Sequence, residues 1–206
     1  MQPYYTLAAF AEAQITEKKS LFIAAAAPAC TEEEALDFLA QRRAMHRTAN
    51  HNVYAYALRE GARTRYSDDG EPAKTAGLPV LETLSHAHVQ NAVLVVTRYF
   101  GGTLLGTGGL VRAYTAAASA ALTQAGIAVI TPCVQVNITL PYALFEQAKR
   151  LVDAAGAACD APVFTDTVAL RFVLPQGREE PLLAALREIC RTEDNYTVSA
   201  PFFTAF

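Results

Sequence analysis

The sequence lacks three features that would place a protein in a familiar class. Its four cysteines form no Cys-x-x-Cys pair and no Cys/His spacing suited to zinc. No apolar run is long enough to span a bilayer, and residues 1–6 lack the basic start of a signal peptide. We therefore expect reduced thiols, no membrane partner and a cytoplasmic location.

The chain also lacks a strong net charge. Its 206 residues carry a formal charge of −3 at pH 7, which gives no general attraction to nucleic acid or to an acidic membrane. Any such binding must come from a local patch. Hydrophobic residues make up 52% of the sequence, enough for a packed core, so a disordered chain is excluded. The length allows one domain or two modest ones.

One long stretch, from Thr83 to Phe145, has no acidic residue, and its only full charges are Arg98 and Arg112. These arginines flank a loop that holds five of the eleven glycines in the chain: Gly101, Gly102, Gly106, Gly108 and Gly109. The apolar run at 92–96 predicts a buried strand before this glycine loop, and the alanine-rich run at 110–122 predicts a helix after it. Glycine permits close approach to the backbone, and the first N–H groups of a helix lack partners. The unit therefore predicts an anion-binding site.

The common phosphate motifs do not match this loop. Thr107 follows Gly106 where a P-loop has lysine, and Val111 stands where the dinucleotide fingerprint has its third glycine. The glycines could instead serve only a tight turn and close helix–sheet packing. Each arginine must be paired with a carboxylate or exposed to a ligand, because an isolated buried arginine would cost several kcal/mol.

A second motif is an acidic turn that spans residues 68–71 and contains Asp68, Asp69 and Glu71. Aspartate and glycine favour turns, so the sequence predicts a turn that caps the following helix. Three carboxylates within four residues also resemble a hard-cation site, although the spacing of a calcium loop is absent. A third interpretation is that Asp68 or Asp69 pairs with one of the two arginines. His51 could contact a ligand beside the turn or be an ordinary edge histidine.

Hydrophobic periodicity predicts two domains, 1–127 and 128–206, without a long linker. The first has a predicted strand at 15–28 and a helix that begins with a capping box formed by Thr31 and Glu34. A hairpin and a second helix are predicted before the glycine loop. The second domain has a β-α-β-β-α-β order, with strands that include 157–164 and 196–203, which is the ferredoxin-like arrangement.

Three segments, in order, closely resemble the YigZ/IMPACT family: ANHNVYAY at 49–56, YSDDGEP with TAGLP at 66–79, and VLVVTRYFGGTLLGTGGLVRAY at 93–114. The resemblance implies an α+β fold. Its first domain would belong to the ribosomal-protein and translation-factor superfold, with a left-handed βαβ unit. Its second, ferredoxin-like domain would be similar to the C-terminal domain of elongation factor G. This chain departs from the family at Lys74, where many members have glycine.

These observations leave three functional hypotheses. The first is a non-catalytic binding protein, linked to RNA or translation, that binds the phosphates of RNA, a nucleotide or a ribosome-associated partner at Arg98, Arg112 and the five glycines. The second is an enzyme acting on a small anionic or phosphorylated substrate, and the third is a protein–protein adaptor in translation regulation. Binding is favoured because no nucleophile or metal-ligand set emerges, and we expect no cofactor. The residues expected to support the site are His51, Asp68, Asp69, Glu71 and Lys74.

Overall fold

The computed structural model describes residues 2–191 and 195–206. The described chain divides into two compact units. One spans Tyr4–Ala128, and the other contains Val129–Phe206 together with the N-terminal residues up to Pro3. No helix in the part of the chain that the structure describes combines the length and hydropathy needed to cross a membrane.

The first unit contains six strands, three α-helices and a short 3-10 helix at Glu60–Ala62. In chain order the strands and α-helices are β1 (Tyr4–Leu7), β2 (Ala11–Glu17), β3 (Ser20–Pro28), α1 (Glu32–Met45), β4 (His51–Leu58), β5 (Arg63–Ser67), α2 (Gly77–His86), β6 (Ala92–Tyr99) and α3 (Thr107–Ala125). A five-stranded sheet has the order β2-β3-β6-β4-β5, and every neighbouring pair is antiparallel. The predicted capping box is present at the start of α1.

Strand β6 lies in the middle of this sheet and is buried on both faces, as its apolar run predicted. Leu94 and Val96 pack into the cluster that contains the apolar residues of α2 and α3. Val93 and Val95 pack into a separate cluster with residues of α1. Because side chains alternate along a strand, the residues that end β6 are also directed to opposite faces. This alternation positions Arg98 on the α2 and α3 side.

The prediction of one strand over 15–28 was wrong, because β2 and β3 form a hairpin. The chain turns at Lys18 and Lys19, and Glu17 pairs with Ser20. Both lysines have positive φ, 44° and 68°, which a two-residue type I′ turn requires. Asparagine and glycine usually occupy these positions, so the two lysines carry no recognisable turn signal.

The second unit has the ferredoxin-like arrangement. Its elements are β7 (Ile127–Leu140), α4 (Tyr142–Ala154), β8 (Ala158–Cys159), β9 (Val163–Phe164), β10 (Val168–Pro175), α5 (Glu179–Cys190), β11 (Tyr196–Val198) and β12 (Phe202–Ala205). β7 pairs with β10 on one side and with β11 and β12 on the other, and β10 pairs with β8 and β9. The strands predicted at 157–164 and 196–203 are each interrupted near a proline, Pro162 or Pro201, which has no N–H to donate.

Candidate functional site

The glycine loop and the acidic turn meet at a cavity of about 450 Å³ in the first unit. The antiparallel pairing of β4 with β6 places His51 opposite Arg98, so the start of one strand and the end of the other form one wall. Glu71 comes from the acidic turn, and Phe100 and Gly106 come from the glycine loop. The three motifs that the sequence singled out therefore lie around the same space.

Arg98 is paired inward. Its Nη1 donates to Glu71 Oε1 at 2.6 Å, and the two side chains are only 6% and 4% exposed. Its Nη2 lies 3.4 Å from the hydroxyl of Ser20, and the guanidinium lies 5.4 Å from the ring centre of Phe22. Of the two outcomes allowed for a buried arginine, pairing with a carboxylate is the one that occurs.

The same oxygen of Glu71 has a second donor that sequence reasoning missed. The hydroxyl of Tyr114, on α3, donates to Glu71 Oε1 at 2.7 Å. Burial, with the Glu71 carboxylate beside it, raises the pKa of Tyr114 well above its usual range, so the hydroxyl stays a donor. Nothing in the sequence distinguishes this tyrosine from other core tyrosines, since its partner comes from a turn far away along the chain.

The two aspartates of the acidic turn bind backbone groups. Asp68 accepts the N–H groups of Lys74, Ala76 and Gly77, at 2.9, 3.0 and 2.8 Å, so it caps the start of α2 as predicted. Asp69 accepts the N–H of Asn52 and a hydrogen bond from Arg43, at 2.6 and 2.8 Å. The interpretation that Asp68 or Asp69 pairs with Arg98 or Arg112 was wrong. Glu71 reaches Arg98 instead, because the aspartates are directed to the backbone.

Lys74 is exposed and does not enter the cavity wall. Its φ is 63°, in the left-handed region that costs a residue with a Cβ roughly 1–2 kcal/mol. The resemblance implies glycine at this position in many relatives, and glycine adopts this conformation without that cost. The backbone of Lys74 therefore belongs to the turn, while its ammonium group stays in solvent.

His51 has a defined tautomer. Its Nδ1 lies 2.8 Å from the carbonyl oxygen of Asp69, and a carbonyl only accepts, so Nδ1 carries the proton. In the neutral ring Nε2 then keeps its lone pair. This atom lies 3.8 Å from Glu71 Oε1, and His51 lines the cavity. In this neutral form the ring presents a hydrogen-bond acceptor at the cavity that it lines.

Glycine is needed at the different positions of the loop for different structural reasons. A Cβ on Gly101 would lie 2.0 Å from the carbonyl of Lys19, so this position serves close packing against the hairpin. Gly102 and Gly106 have positive φ, 81° and 74°. A Cβ on Gly109 would lie 3.0 Å from Leu105, whereas one on Gly108 would meet only Arg112 Nη1, at 3.6 Å. The packing interpretation therefore explains Gly101 fully and Gly108 not at all.

Arg112 differs from Arg98. It is exposed, and its guanidinium folds back along α3 to lie beside Gly108. It lines a second, smaller recess of about 230 Å³ together with Lys18 and Gly109. The two arginines that flank the loop in the sequence therefore lie in different cavities.

Comparison with known proteins identifies both domains. A family profile described as the Impact N-terminal domain matches residues 18–122, and one described as a domain of unknown function, DUF1949, matches residues 138–191. An "IMPACT family member in pol 5'region" of Thermus thermophilus is 41% identical over 175 residues, which cover 84% of this chain and 95% of that protein. The "IMPACT family member YigZ" of Escherichia coli is 35% identical over 181 residues, covering 84% and 87%.

More distant relatives and a solved structure agree. "Protein IMPACT" of Mus musculus is 35% identical over 98 residues, which cover 45% of this chain and 30% of the mouse protein. A crystal structure of a hypothetical protein is 31% identical, with a TM-score of 0.63, and the match covers 100% of this chain and 98% of that one. The α+β fold class, with an IMPACT-type first domain and a ferredoxin-like second domain, is confirmed. The chain belongs to the IMPACT family.

Proposed function

We propose that this protein is a non-catalytic binding protein that holds phosphate groups of RNA or of a nucleotide at the start of α3. The observation that carries the proposal is the position of the Arg112 guanidinium beside Gly108, in the first turn of that helix. The N-terminal end of a helix has a partial positive charge, so a cation there costs on the order of 0.3–1 kcal/mol. A bound anion would remove this cost and would be attracted by both charges.

The backbone at this helix start is open to a ligand. Gly106, Thr107 and Gly108 are exposed, and the first turn contains no acidic side chain. Leu110 makes the first helical hydrogen bond, to the carbonyl of Gly106 at 2.9 Å, so the N–H groups of residues 107–109 precede it. These N–H groups are the ones that bind phosphate at helix N-termini in other proteins.

The larger cavity, which borders this helix start at Gly106 and Thr107, suits the sugar and base of a nucleotide. Phe100 is 44% exposed and Leu104 is 82% exposed, and both line the cavity beside the helix start. An exposed aromatic ring offers a stacking surface to any base, worth about 1–3 kcal/mol. His51 Nε2 can accept a hydrogen bond from a hydroxyl or from a base N–H. Arg98 and Glu71 are assigned the role of positioning the acidic turn, since their charges neutralise each other.

Family membership supports a role close to translation. IMPACT proteins of yeast, mouse and Dictyostelium are associated with translation regulation in general. This chain covers only 28–37% of those proteins, so the transfer of that role to the whole chain is part of the proposal. A phosphate-binding first domain is compatible with an RNA or ribosome-associated partner.

The test is binding of a fluorescent single-stranded RNA, and of a fluorescent nucleotide, to the wild type and to Arg112→Gln at two salt concentrations. We expect weaker binding of both ligands and a salt slope reduced by about 0.7, because one phosphate is no longer neutralised. Arg150→Gln removes an exposed arginine of the second unit and is the matched control. Unchanged affinity and slope in folded Arg112→Gln protein would reject the proposal.

A second proposal, an enzyme acting on a small phosphorylated substrate, is favoured by one observation. The Nδ1 atom of His51 donates to the Asp69 carbonyl and His51 lines the cavity, so the neutral ring offers its Nε2 lone pair there, as a general base requires. Asp68 and Asp69 are occupied by backbone donors. Turnover of a bound ligand by the wild type, abolished in His51→Gln with binding retained, would support it.

A further inference from the structure

We infer that the ligand is a single-stranded oligonucleotide that places a second phosphate in the recess between the β2–β3 hairpin and α3. This inference rests on the proposed phosphate site at the start of α3 and extends it along the molecule. The recess is lined by Lys18 from the hairpin and by Arg112 and Gly109 from the helix. Two cationic side chains from separate elements therefore face one space of about 230 Å³.

The recess and the larger cavity are neighbours. Leu105 lines both of them, with Gly106 and Thr107 on the side of the larger cavity and Gly109 on the side of the recess. The Arg112 guanidinium folds back to Gly108, so it borders the helix start as well as the recess. A strand that places one phosphate at the helix start can therefore run past Arg112 and place the next phosphate beside Lys18.

The main chain of the hairpin turn packs against the glycine loop at Gly101. The backbone at Lys19 is so close to Gly101 that a Cβ there would lie 2.0 Å from the Lys19 carbonyl. Lys18 and Lys19 are both exposed. Main-chain packing therefore holds the backbone of Lys19 beside the loop, and the flexible lysine stems let the ammonium groups reach a ligand.

These cations are available to a ligand. Within residues 2–191 and 195–206, neither lysine nor Arg112 lies within ion-pair distance of a carboxylate. Glu17 also lines the recess, so two cations, Lys18 and Arg112, face one anion there, and the exposed Lys19 follows next in the turn. This excess is local in a chain whose formal net charge is −3, which is the kind of patch that phosphate binding requires.

The hairpin turn offers a variant that removes charge without harming the fold. Lysine is poorly suited to the positive φ values of 44° and 68° found here, whereas Asn-Gly is the preferred pair for such a turn. The double variant Lys18→Asn with Lys19→Gly should therefore fold at least as stably as the wild type. A matched control is Lys149→Gln with Arg150→Gln, which removes the same charge from α4 of the second unit.

The experiment measures binding of two fluorescent probes, UMP and an oligouridylate of about eight nucleotides, over a series of salt concentrations. For Lys18→Asn with Lys19→Gly we expect an unchanged dissociation constant for UMP. We expect weaker oligouridylate binding and a salt slope lower by about 0.7 for each phosphate that the variant no longer neutralises. The thermal midpoint should stay equal or rise, and the α4 variant should bind both probes like the wild type.

The outcomes separate this inference from the proposed function. If Arg112→Gln binds both probes more weakly while the hairpin variant binds oligouridylate normally, the second phosphate position is wrong. The site at the start of α3 then stands. If Arg112→Gln changes the dissociation constant of neither probe, the proposed function itself fails. Equal loss of both probes in the hairpin variant would also overturn the inference, because the lysines would then act on the first site. An equal loss of oligouridylate affinity in the α4 variant would show that the effect comes from net charge and not from the position of the lysines.

Discussion

Arg98 Nη1 donates to Glu71 Oε1 at 2.6 Å, and this ion pair is almost completely buried. It joins the end of β6 to the acidic turn, and the hydroxyl of Tyr114 on α3 donates to the same oxygen. Removing two charges from water is costly, so such a pair adds little stability compared with apolar residues of the same shape. Its specific effect is to fix three elements around the cavity.

The contributions of Arg98 and Glu71 to the free energy of unfolding should be strongly coupled. Arg98→Met should lower the free energy of unfolding by about 3–5 kcal/mol, because it leaves the Glu71 carboxylate buried without its counter-charge. Arg98→Met combined with Glu71→Leu should recover much of that loss, since no unpaired charge is left. Urea unfolding of the wild type, both single variants and the double variant measures the coupling. Additive losses would contradict it.

Lys74→Gly should stabilise the protein. The φ of 63° at this residue costs a side-chain-bearing residue roughly 1–2 kcal/mol, and the exposed ammonium group makes no ion pair among the described residues. Glycine also gains freedom in the unfolded chain, so we expect a net gain of about 1 kcal/mol or less. Lys74→Gln removes the charge and keeps the strain, so it should leave the unfolding midpoint unchanged. A gain of stability in both variants would mean that loss of the lysine charge, and not relief of backbone strain, stabilises the protein.

Gly101→Ala and Gly108→Ala should have opposite effects on stability. A Cβ at Gly101 would overlap the Lys19 carbonyl, so we expect a loss of about 1–3 kcal/mol or more. A Cβ on Gly108 would make only an ordinary contact, at 3.6 Å from Arg112 Nη1, and alanine in a helix is favoured over glycine by roughly 0.5–1 kcal/mol. Thermal unfolding compares the two variants. Equal tolerance of both would mean that the hairpin does not pack against the loop as described.

Stability should fall in mild acid because of His46. Arg42 Nη2 lies 3.0 Å from His46 Nε2, which must therefore be an unprotonated acceptor. Burial and the neighbouring Arg42 lower the pKa of His46, so the unfolded chain binds this proton more readily than the folded one. The contribution of neutral His46 to the free energy of unfolding is complete above the pKa of an unfolded histidine, about 6.5. It is lost as the pH falls through the lowered pKa of His46 in the folded protein.

The test of this dependence is urea unfolding at a series of pH values on both sides of about 6.5. His46→Gln should show a smaller loss of unfolding free energy toward acid than the wild type. His86→Gln, at an exposed histidine, should keep the wild-type slope. Identical slopes in all three proteins would show that His46 titrates alike in the folded and unfolded chains.

Local sequence was sufficient for the elements around the site. The apolar run of β6, the glycine loop and the start of α3 follow one another within residues 92–110, so short-range patterns predicted their order. The capping box of α1 joins Thr31 to Glu34, three positions apart, and the cap that Asp68 provides for α2 joins residues up to nine positions apart. In each case the interacting groups are close along the chain, where propensity and hydrogen bonding act directly.

Only the tertiary structure decided what the charged residues do. The sequence treats Arg98 and Arg112 alike, but alternation along β6 turns the first toward Glu71, and the helical position of the second leaves it in solvent. Tyr114 carries no local signal, because its partner Glu71 comes from a distant segment. The hairpin lysines carry none either, because lysine rarely occupies a turn with positive φ. The physical reason is that a strand buried on both faces does not reveal which face meets which helix, and that choice determines which charges are neutralised and which remain free.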